Sequence, residues 1–316
     1  MRAVHAYMKI DTHAGCAYFR EFDILVWKLA VARNKSLGFH TVLYTVEADR
    51  EALADAGITA LYDEVNYVTD DRLQRINLTY FWAAFKFIAI ERELDRGEDF
   101  FVVDTDLVFM DDSIKNALAN SPALFWQNEE PLIRYPKFET INVPPGFKYP
   151  SYFSAMVRPV NTAIIKVDNH DALREWLRVA WSFMIDNQCD EGVNPNPNHT
   201  GYIVTVEQRF LPIVLTRKYH IPLSFFATRV NPNFSKSHFH IWGYKYAITV
   251  STTVRNRWTK TLLETIKVHE PELYKSVIDD PARCVSDALA AWNETFFEPM
   301  AYKYTTQEEN AAKDIH

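Results

Sequence analysis

Cysteine is scarce in this chain of 316 residues, which contains only Cys16, Cys189 and Cys284. These residues are widely separated, so the sequence predicts neither a disulfide framework nor a cysteine-based zinc site. Unpaired thiols are typical of a reducing compartment. The chain also has no apolar run of the roughly 18 residues that a membrane-spanning helix needs, and its opening segment is too short and too polar for a signal peptide. We therefore expect a cytoplasmic protein, with peripheral association at the inner membrane as the alternative.

Positive charge is also in short supply, because the formal net charge is −7 and the basic residues are scattered. A nucleic-acid-binding protein usually carries a basic face, so we expect no nucleic-acid partner. Neither GxGxxG nor GxxxxGK[ST] occurs, and dinucleotide-binding and P-loop classes therefore lack support. Hydrophobic residues make up 48% of the chain, which is enough to bury a large core.

The first part of the sequence alternates between strand-like and helix-like segments. The predicted strands cover residues 3–8, 39–46, 59–68 and 100–103, and the predicted helices cover 17–36, 49–56 and 79–95. Gly38, Gly57 and Gly97 follow these three helices and indicate their ends. This βαβαβαβ order predicts an α/β fold with a mainly parallel sheet and helices on both faces. Ligands of such sheets bind at the carboxyl ends of the strands.

The second part is less regular. It contains a predicted strand at 161–167, predicted helices at 170–186 and 205–219, helical segments after 257, and predicted loops at 131–150 and 187–201. No strong linker separates these segments. We therefore predict one domain over residues 1–256 and a helical extension over 257–316 that packs on the same domain.

Two acidic residues, Asp104 and Asp106, directly follow the apolar strand at 100–103. An ionised carboxylate is costly to bury without a partner, so packing does not explain the pair. If the chain leaves the strand at Asp104, both carboxylates can point into one crevice and bind Mn²⁺ or Mg²⁺. The alternative is a helix cap, but Asp111-Asp112-Ser113 lies closer to the next helix and suits that role better.

The segment Phe100-Phe101-Val102-Val103-Asp104-Thr105-Asp106 resembles the DxD segment of GT-A glycosyltransferases, especially the retaining glycogenin and galactosyltransferase-like group. This resemblance extends over roughly residues 3–246. It implies a GT-A fold, which is Rossmann-like and has a mixed, mainly parallel sheet flanked by helices. It also implies a Mn²⁺ or Mg²⁺ ion and a nucleotide-sugar donor.

The resemblance further implies roles for individual residues. The segment His240-Ile241-Trp242-Gly243-Tyr244-Lys245 is similar to the family's His-x-x-Gly-x-x-Lys segment but is one residue shorter. His240 is thus the implied third metal ligand beside Asp104 and Asp106, with His238 as the alternative, and Lys245 is the implied diphosphate contact. Glu207 and Gln208 correspond to an acidic-Gln pair and are the implied catalytic residues. The implied donor-binding residues are Tyr7, Asp11, Thr12, Lys86, Asp104, Thr105, Asp106, Asn161 and Lys245.

Several of these residues also have plain structural interpretations. Alternating His and Phe at 237–240 is typical of a half-buried strand, and a lysine on a helix, such as Lys86, is usually solvated. Tyr7 can pack at a strand end, and Glu207-Gln208 can form a surface helix turn. Glu129 and Glu130 are further candidate site acids.

The sequence therefore favours a metal-dependent glycosyltransferase, hexosyltransferase-like and retaining by resemblance. Its donor is expected to be a UDP- or GDP-sugar, its acceptor a glycan or lipid-linked hydroxyl compound, and its pathway polysaccharide biosynthesis. Two alternatives stay open. One is a haloacid-dehalogenase-like phosphatase with Asp104 as nucleophile, although that motif normally lies on the first strand. The other is a non-catalytic glycan-binding protein with a decayed donor site.

Overall fold

The structure is a computed structural model that describes residues 1–9, 21–129, 135–154, 156–189, 201–227, 236–241, 248 and 251–291. Three of the predicted donor-binding residues, Asp11, Thr12 and Lys245, lie outside the described residues, and so does Glu130. The other predicted site residues are all described.

The strands alternate with helices through the first part of the chain. The strands are β1 (Arg2–Ala6), β2 (His40–Thr45), β3 (Glu64–Tyr67), β4 (Phe100–Val103), β5 (Leu107–Phe109), β6 (Ala123–Asn128), β7 (Val160–Val167), β8 (Ser224–Phe225) and β9 (His238–His240). The first five helices are α1 (Glu21–Ser36), α2 (Arg50–Asp55), α3 (Ala84–Arg96), α4 (Ser113–Asn120) and α5 (His170–Met184).

The later helices form two groups. In the first, α6 (Gly201–Val204) continues through π-helical Thr205–Arg209, α7 (Phe210–Ile213) and π-helical Val214–Lys218. The second group is α8 (Thr252–His269), α9 (Pro271–Asp279) and α10 (Arg283–Ala290). In the described part of the chain no helix combines the length and apolar character needed to cross a membrane.

Seven strands of the described residues form one sheet in the order β3-β2-β1-β4-β7-β6-β8. Strand β1 pairs in parallel with β2 and β4, β2 with β3, and β6 with β8. Only β7 runs antiparallel to its neighbours, β4 and β6. The predicted α/β class with a mixed, mainly parallel sheet between helices is therefore confirmed.

Helices cover both faces of this sheet. One face packs against α3, α5 and the helical segment 201–218, and the other against α1, α2 and α4. The four residues of β4 are all buried because both of their faces are covered. This position explains why β4 is a continuous apolar run that ends abruptly at Asp104.

Strands β5 and β9 form a separate antiparallel ribbon beside the main sheet. Its outer side packs with α1, α8, α9 and α10 in one apolar cluster, to which Phe239 and Trp258 belong. The helices after residue 251 thus contact the strand that carries His240. The domain boundary at residue 256 stays a prediction.

One predicted strand is wrong in part. The segment 59–68 is a strand only over β3, because Thr59–Leu61 forms a 3-10 turn after Gly57. Pairing with β2 begins at Val42 opposite Glu64, so the residues before Glu64 lie beyond the sheet.

Candidate functional site

Asp104 and Asp106 lie in a tight turn between β4 and β5. The amide of Leu107 donates to the carbonyl of Asp104 at 3.2 Å, which closes the turn. The amide of Asp104 donates to the Ala163 carbonyl on β7 at 2.9 Å, so the turn begins while the chain still belongs to the main sheet. The turn therefore fixes both acids at the carboxyl end of β4, as the sequence predicts.

The ribbon places His240 beside this turn. Leu107 pairs with His240, and the amide of Ile241 donates to the Asp106 carbonyl at 3.3 Å. One potential ligand atom from each of Asp104, Asp106 and His240 lies within 4.8 Å of the other two. Two carboxylates and one imidazole at this spacing form a donor set that suits a divalent metal ion.

The environment of His240 supports this interpretation. Its side chain is 2% exposed, and Nε2 lies 3.4 Å from Asp106 Oδ1. Neither ring nitrogen of His240 makes a hydrogen bond within the described part of the chain. A buried imidazole without a hydrogen bond is costly, and a bound cation would reduce that cost by pairing with one ring nitrogen. The residues present thus fit a metal ion.

His238 has a different environment, although it lies on the same face of β9. Its ring contacts Trp126 edge-on at 4.6 Å and packs against Phe226 at 5.2 Å, and its Nδ1 lies 3.0 Å from Ser237 Oγ. The potential ligand cluster includes His240 and not His238. His238 is therefore a structural residue that packs in a buried strand.

Lys86 lies next to the acidic turn and is not a solvated helix residue. Its Nζ lies 2.8 Å from Asp104 Oδ1 and 2.7 Å from Glu207 Oε1, and it also donates to the Thr162 carbonyl at 3.3 Å. The side chain is only 12% exposed. The interpretation of Lys86 as a solvated lysine is thus wrong, because α3 directs this residue into the space between β4 and the segment 205–209.

Burial and neighbouring charges shift both partners of this ion pair. Burial alone would lower the pKa of Lys86, but Asp104 and Glu207 outweigh it and raise the pKa of the ammonium group. Burial raises the pKa of Glu207, and the lowering effect of Lys86 offsets this only in part. Because the Glu207 side chain is 4% exposed, its carboxylate depends on the ion pair with Lys86 to compensate its negative charge.

Glu207 and Gln208 lie in the π-helical segment Thr205–Arg209. Short π-helical segments are frequent at functional sites, since the extra residue per turn redirects side chains. Glu207 is buried against Lys86, whereas Gln208 is half-buried and its Oε1 lies 2.6 Å from the Tyr135 hydroxyl. The interpretation of Glu207 as part of a surface turn is therefore wrong.

Asn161 lies at the start of β7 and forms a hydrogen bond with the side chain of Glu129. Its Nδ2 donates to Glu129 Oε1 at 3.0 Å, and its Oδ1 accepts from the Ala163 amide at 3.0 Å. The same β7 segment supplies the Thr162 carbonyl to Lys86. Glu129, a minor candidate in the sequence, thus contacts a predicted donor-binding residue at the carboxyl end of β6.

Thr105 and Tyr7 have less distinctive positions. Thr105 is half-exposed inside the turn between the two acids. Tyr7 follows β1 and packs against Trp27 with ring centroids 5.0 Å apart, which agrees with packing at the strand end. The structure brings together Asp104, Asp106, His240, Lys86 and Glu207 by direct contacts.

The solved structures that match this chain do so with low similarity, and they include a xylosyltransferase, a glycosyltransferase and a synthase. Mouse xyloside xylosyltransferase 1 in its apo form has a TM-score of 0.38 and 10% identity, over 72% of this chain and 84% of that chain. The PaToxG glycosyltransferase has a TM-score of 0.32 and 10% identity, over 69% of each chain. The 4-diphosphocytidyl-2C-methyl-D-erythritol synthase of Anaerococcus prevotii has a TM-score of 0.31 and 14% identity, over 56% and 74%. Similarity at this level supports no conclusion about activity, so we base the function on the site residues.

No curated protein matches the sequence. A family match, in contrast, spans most of the chain and covers the acidic turn, the π-helical segment and His240. Residues 5–280 match the family described as "Family of unknown function (DUF6734)", and the chain belongs to that family.

Proposed function

We propose that this protein is a metal-dependent glycosyltransferase that moves a sugar from a nucleoside-diphosphate-sugar to a hydroxyl acceptor. The observation that carries the proposal is the cluster of Asp104, Asp106 and His240 within 4.8 Å. This cluster lies at the carboxyl end of a parallel strand, where α/β sheets bind their ligands. The DxD resemblance and the buried Lys86 beside the cluster support the same activity.

The three ligands would hold Mn²⁺ or Mg²⁺. Such an ion supplies Lewis-acid stabilisation of the diphosphate leaving group when it is bound. Asp104 has two roles in this proposal, because it ligates the ion while also contacting Lys86. Lys86 thereby adds a positive charge next to the ion, where negative charge develops on the departing diphosphate.

The residues on the other side of Lys86 face the sugar in our proposal. Glu207 would stabilise positive charge that develops on the donor sugar, Gln208 would form a hydrogen bond with the bound substrate, and Asn161 with Glu129 would bind the hydroxyl groups of the sugar. By resemblance to the glycogenin and galactosyltransferase-like group, we propose that transfer retains the anomeric configuration. A UDP- or GDP-hexose is the proposed donor, and a glycan or lipid-linked precursor of a polysaccharide is the proposed acceptor.

The test is a donor panel with the full chain. UDP-glucose, UDP-galactose, UDP-xylose and GDP-mannose are incubated with Mn²⁺, with Mg²⁺ or with EDTA, and the release of UDP or GDP is measured. We expect metal-dependent release from at least one donor, since water replaces an absent acceptor slowly. An Asp106→Ala variant should abolish that release.

The same panel, extended by p-nitrophenyl phosphate and by a donor-binding titration, separates the alternatives. Release of phosphate from p-nitrophenyl phosphate without nucleotide-sugar turnover would replace our proposal with the phosphatase. A glycan-binding protein with a decayed donor site would neither turn over nor bind any donor. Metal-dependent release that Asp106→Ala leaves unchanged would overturn the assigned site.

A further inference from the structure

The segment 135–138 is fastened to the π-helical segment by two adjacent residues. The Tyr135 hydroxyl lies 2.6 Å from Gln208 Oε1. Arg209 Nη1 donates to the Pro136 carbonyl at 2.6 Å, and the guanidinium group stacks over the Phe138 ring at 3.7 Å. Both sides of the contact are well packed, since Tyr135 is 8% and Arg209 is 1% exposed.

Arg209 fixes the segment 135–138, although burial of its guanidinium group is energetically unfavourable. Burial lowers the pKa of Arg209 to about 10, against the raising effect of Tyr149, Tyr135 and Glu139. The guanidinium group stays protonated at neutral pH and forms no ion pair within 4.0 Å in the described part of the chain. Stacking on an aromatic face and a short bond to a carbonyl replace the missing carboxylate. The segment is therefore held at a fixed position relative to Gln208.

The hydrogen bond from Tyr135 leaves one polar atom of the Gln208 carboxamide available. A carboxamide has one oxygen that accepts and one nitrogen that donates. The Tyr135 hydroxyl occupies the oxygen, whereas the amide nitrogen makes no hydrogen bond to any described residue. The residue as a whole is half-buried and not enclosed in the core.

We infer that Tyr135 is a positioning residue that directs the Gln208 amide nitrogen toward a substrate oxygen. Gln208 then acts as a hydrogen-bond donor to the bound sugar or the acceptor, and not as a nucleophile. This inference rests on the proposed function and adds a residue that the proposed function does not include. The hydroxyl of Tyr135 fixes the amide orientation, and Arg209 fixes Tyr135 through the backbone of the next residue.

A double-mutant cycle tests the inference on the panel donor that is turned over fastest with Mn²⁺. We expect Tyr135→Phe to lower kcat for nucleotide release about 10-fold with less than a 2-fold change in donor KM, because the amide loses its orientation. Gln208→Ala should lower kcat at least as much, and the double variant should be no slower than Gln208→Ala alone. Gln208→Glu keeps the acceptor for Tyr135 but loses the donor, and should be as slow as Gln208→Ala.

Tyr152→Phe is the matched control. It removes a hydroxyl from the same part of the chain, but that hydroxyl donates to Glu175 at 2.7 Å and not to Gln208, so kcat should stay within 2-fold. Multiplying effects in the double variant, or full activity of Tyr135→Phe, would overturn the inference. So would an active Gln208→Glu variant, since the oxygen would then face the substrate. A wild-type chain that releases no nucleotide from any donor would instead contradict the proposed function.

Discussion

Lys86 lies on a helix, where a lysine is usually solvated, but its side chain is largely buried in an ion pair. It lies between Asp104 and Glu207 and compensates the buried carboxylate of Glu207. Removing one partner of a buried ion pair leaves the other charge in a medium that solvates it poorly. The same ammonium group therefore serves both the stability of the fold and the proposed donor site.

We expect Lys86→Met to lower the free energy of unfolding by about 3 kcal/mol at pH 8. The loss should be smaller at pH 5, because burial raises the pKa of Glu207 and protonation removes the uncompensated charge. An acid with a raised pKa in the folded state binds more protons when folded, so its stability contribution falls as pH rises. Urea denaturation at both pH values measures the difference.

The control for this prediction is the double variant Lys86→Met with Glu207→Gln. It has no buried charge at this position, so its stability should recover in part, and the part of the pH dependence that Glu207 causes should disappear. Equal destabilisation of Lys86→Met at pH 5 and pH 8 would contradict the role of Glu207.

A second residue-scale prediction separates the two histidines of β9. We expect His240→Ala to weaken Mn²⁺ binding at least about 100-fold, because a direct ligand contributes no less than the groups that support one. His238→Ala should leave the Mn²⁺ affinity within about 3-fold and lower stability instead, since His238 packs between Trp126 and Phe226. Calorimetric titration with Mn²⁺ measures both affinities, and equal effects of the two variants would exclude His240 as the specific ligand.

At the scale of elements, the sequence predicts what is local. The apolar run of β4 and the helices before it that end at glycine can be predicted from the sequence, because each depends on neighbouring residues. The pairing of β5 with β9 cannot be predicted from the sequence, since Leu107 and His240 are far apart in the chain and only tertiary contacts bring them together. The resemblance, and not the periodicity, identifies His240.

The sequence also leaves the environment of Lys86 undetermined. Lys86 lies between the apolar residues Phe85 and Phe87 in the sequence. Helix periodicity does not reveal which element of the fold covers Lys86. The covering element is the π-helical segment, and the extra residue in its turns breaks the periodicity that would predict a helix face. The contact between Tyr135 and Gln208 is not predictable for the same reason, because Gln208 lies in that segment.

Besides its apolar contacts, helix α1 holds the ribbon through the buried residue Arg33. Its Nε and Nη2 donate to the carbonyls of Phe109 and Met110 at 3.1 and 2.9 Å, and its Nη1 pairs with Glu270 Oε1 at 3.0 Å. Arg33 thus joins α1 and the end of β5 to the junction of α8 and α9. The ribbon that carries His240, one of the proposed metal ligands, is thus tied to the C-terminal helices by this bridge.

We expect Arg33→Met to cost about 3 kcal/mol of unfolding free energy, because it leaves the largely buried Glu270 without its charged partner. The matched control is Lys35→Met on the same helix, whose exposed pair with Asp63 should contribute about 1 kcal/mol or less. Urea denaturation of the two variants at one pH gives the comparison. A similar small cost for both would mean that the bridge does not stabilise the ribbon.

At the scale of the whole molecule, stability in mild acid depends on a buried histidine. His5 on β1 is 0% exposed, and its ring contacts the Tyr62 hydroxyl and lies 3.3 Å from Asn34 Nδ2. Burial lowers the pKa of His5 from 6.5 to about 3. The unfolded chain therefore binds a proton between these values that the folded chain does not bind.

We expect this difference to reduce stability as pH falls from 6.5 toward 3, by up to about 1.4 kcal/mol per pH unit. A His5→Asn variant should be less stable at pH 7 but should show a flatter pH dependence than the wild type. His40→Gln, at a largely exposed histidine, should keep the wild-type slope. Denaturation midpoints between pH 4 and pH 7 measure these slopes, and parallel curves for wild type and His5→Asn would contradict the assignment.

The central claim is that Asp104, Asp106 and His240 jointly bind a divalent cation that in turn binds a nucleoside diphosphate. The most direct measurement is calorimetric titration of the full chain with Mn²⁺, followed by titration with UDP or GDP, in the wild type, Asp106→Ala and Asp112→Asn. Asp112 is an exposed acid at the start of α4 and serves as the matched control. We predict that the wild type and Asp112→Asn bind Mn²⁺ and then nucleotide, and that Asp106→Ala binds neither. Equal Mn²⁺-dependent nucleotide binding by Asp106→Ala and the wild type would contradict the claim.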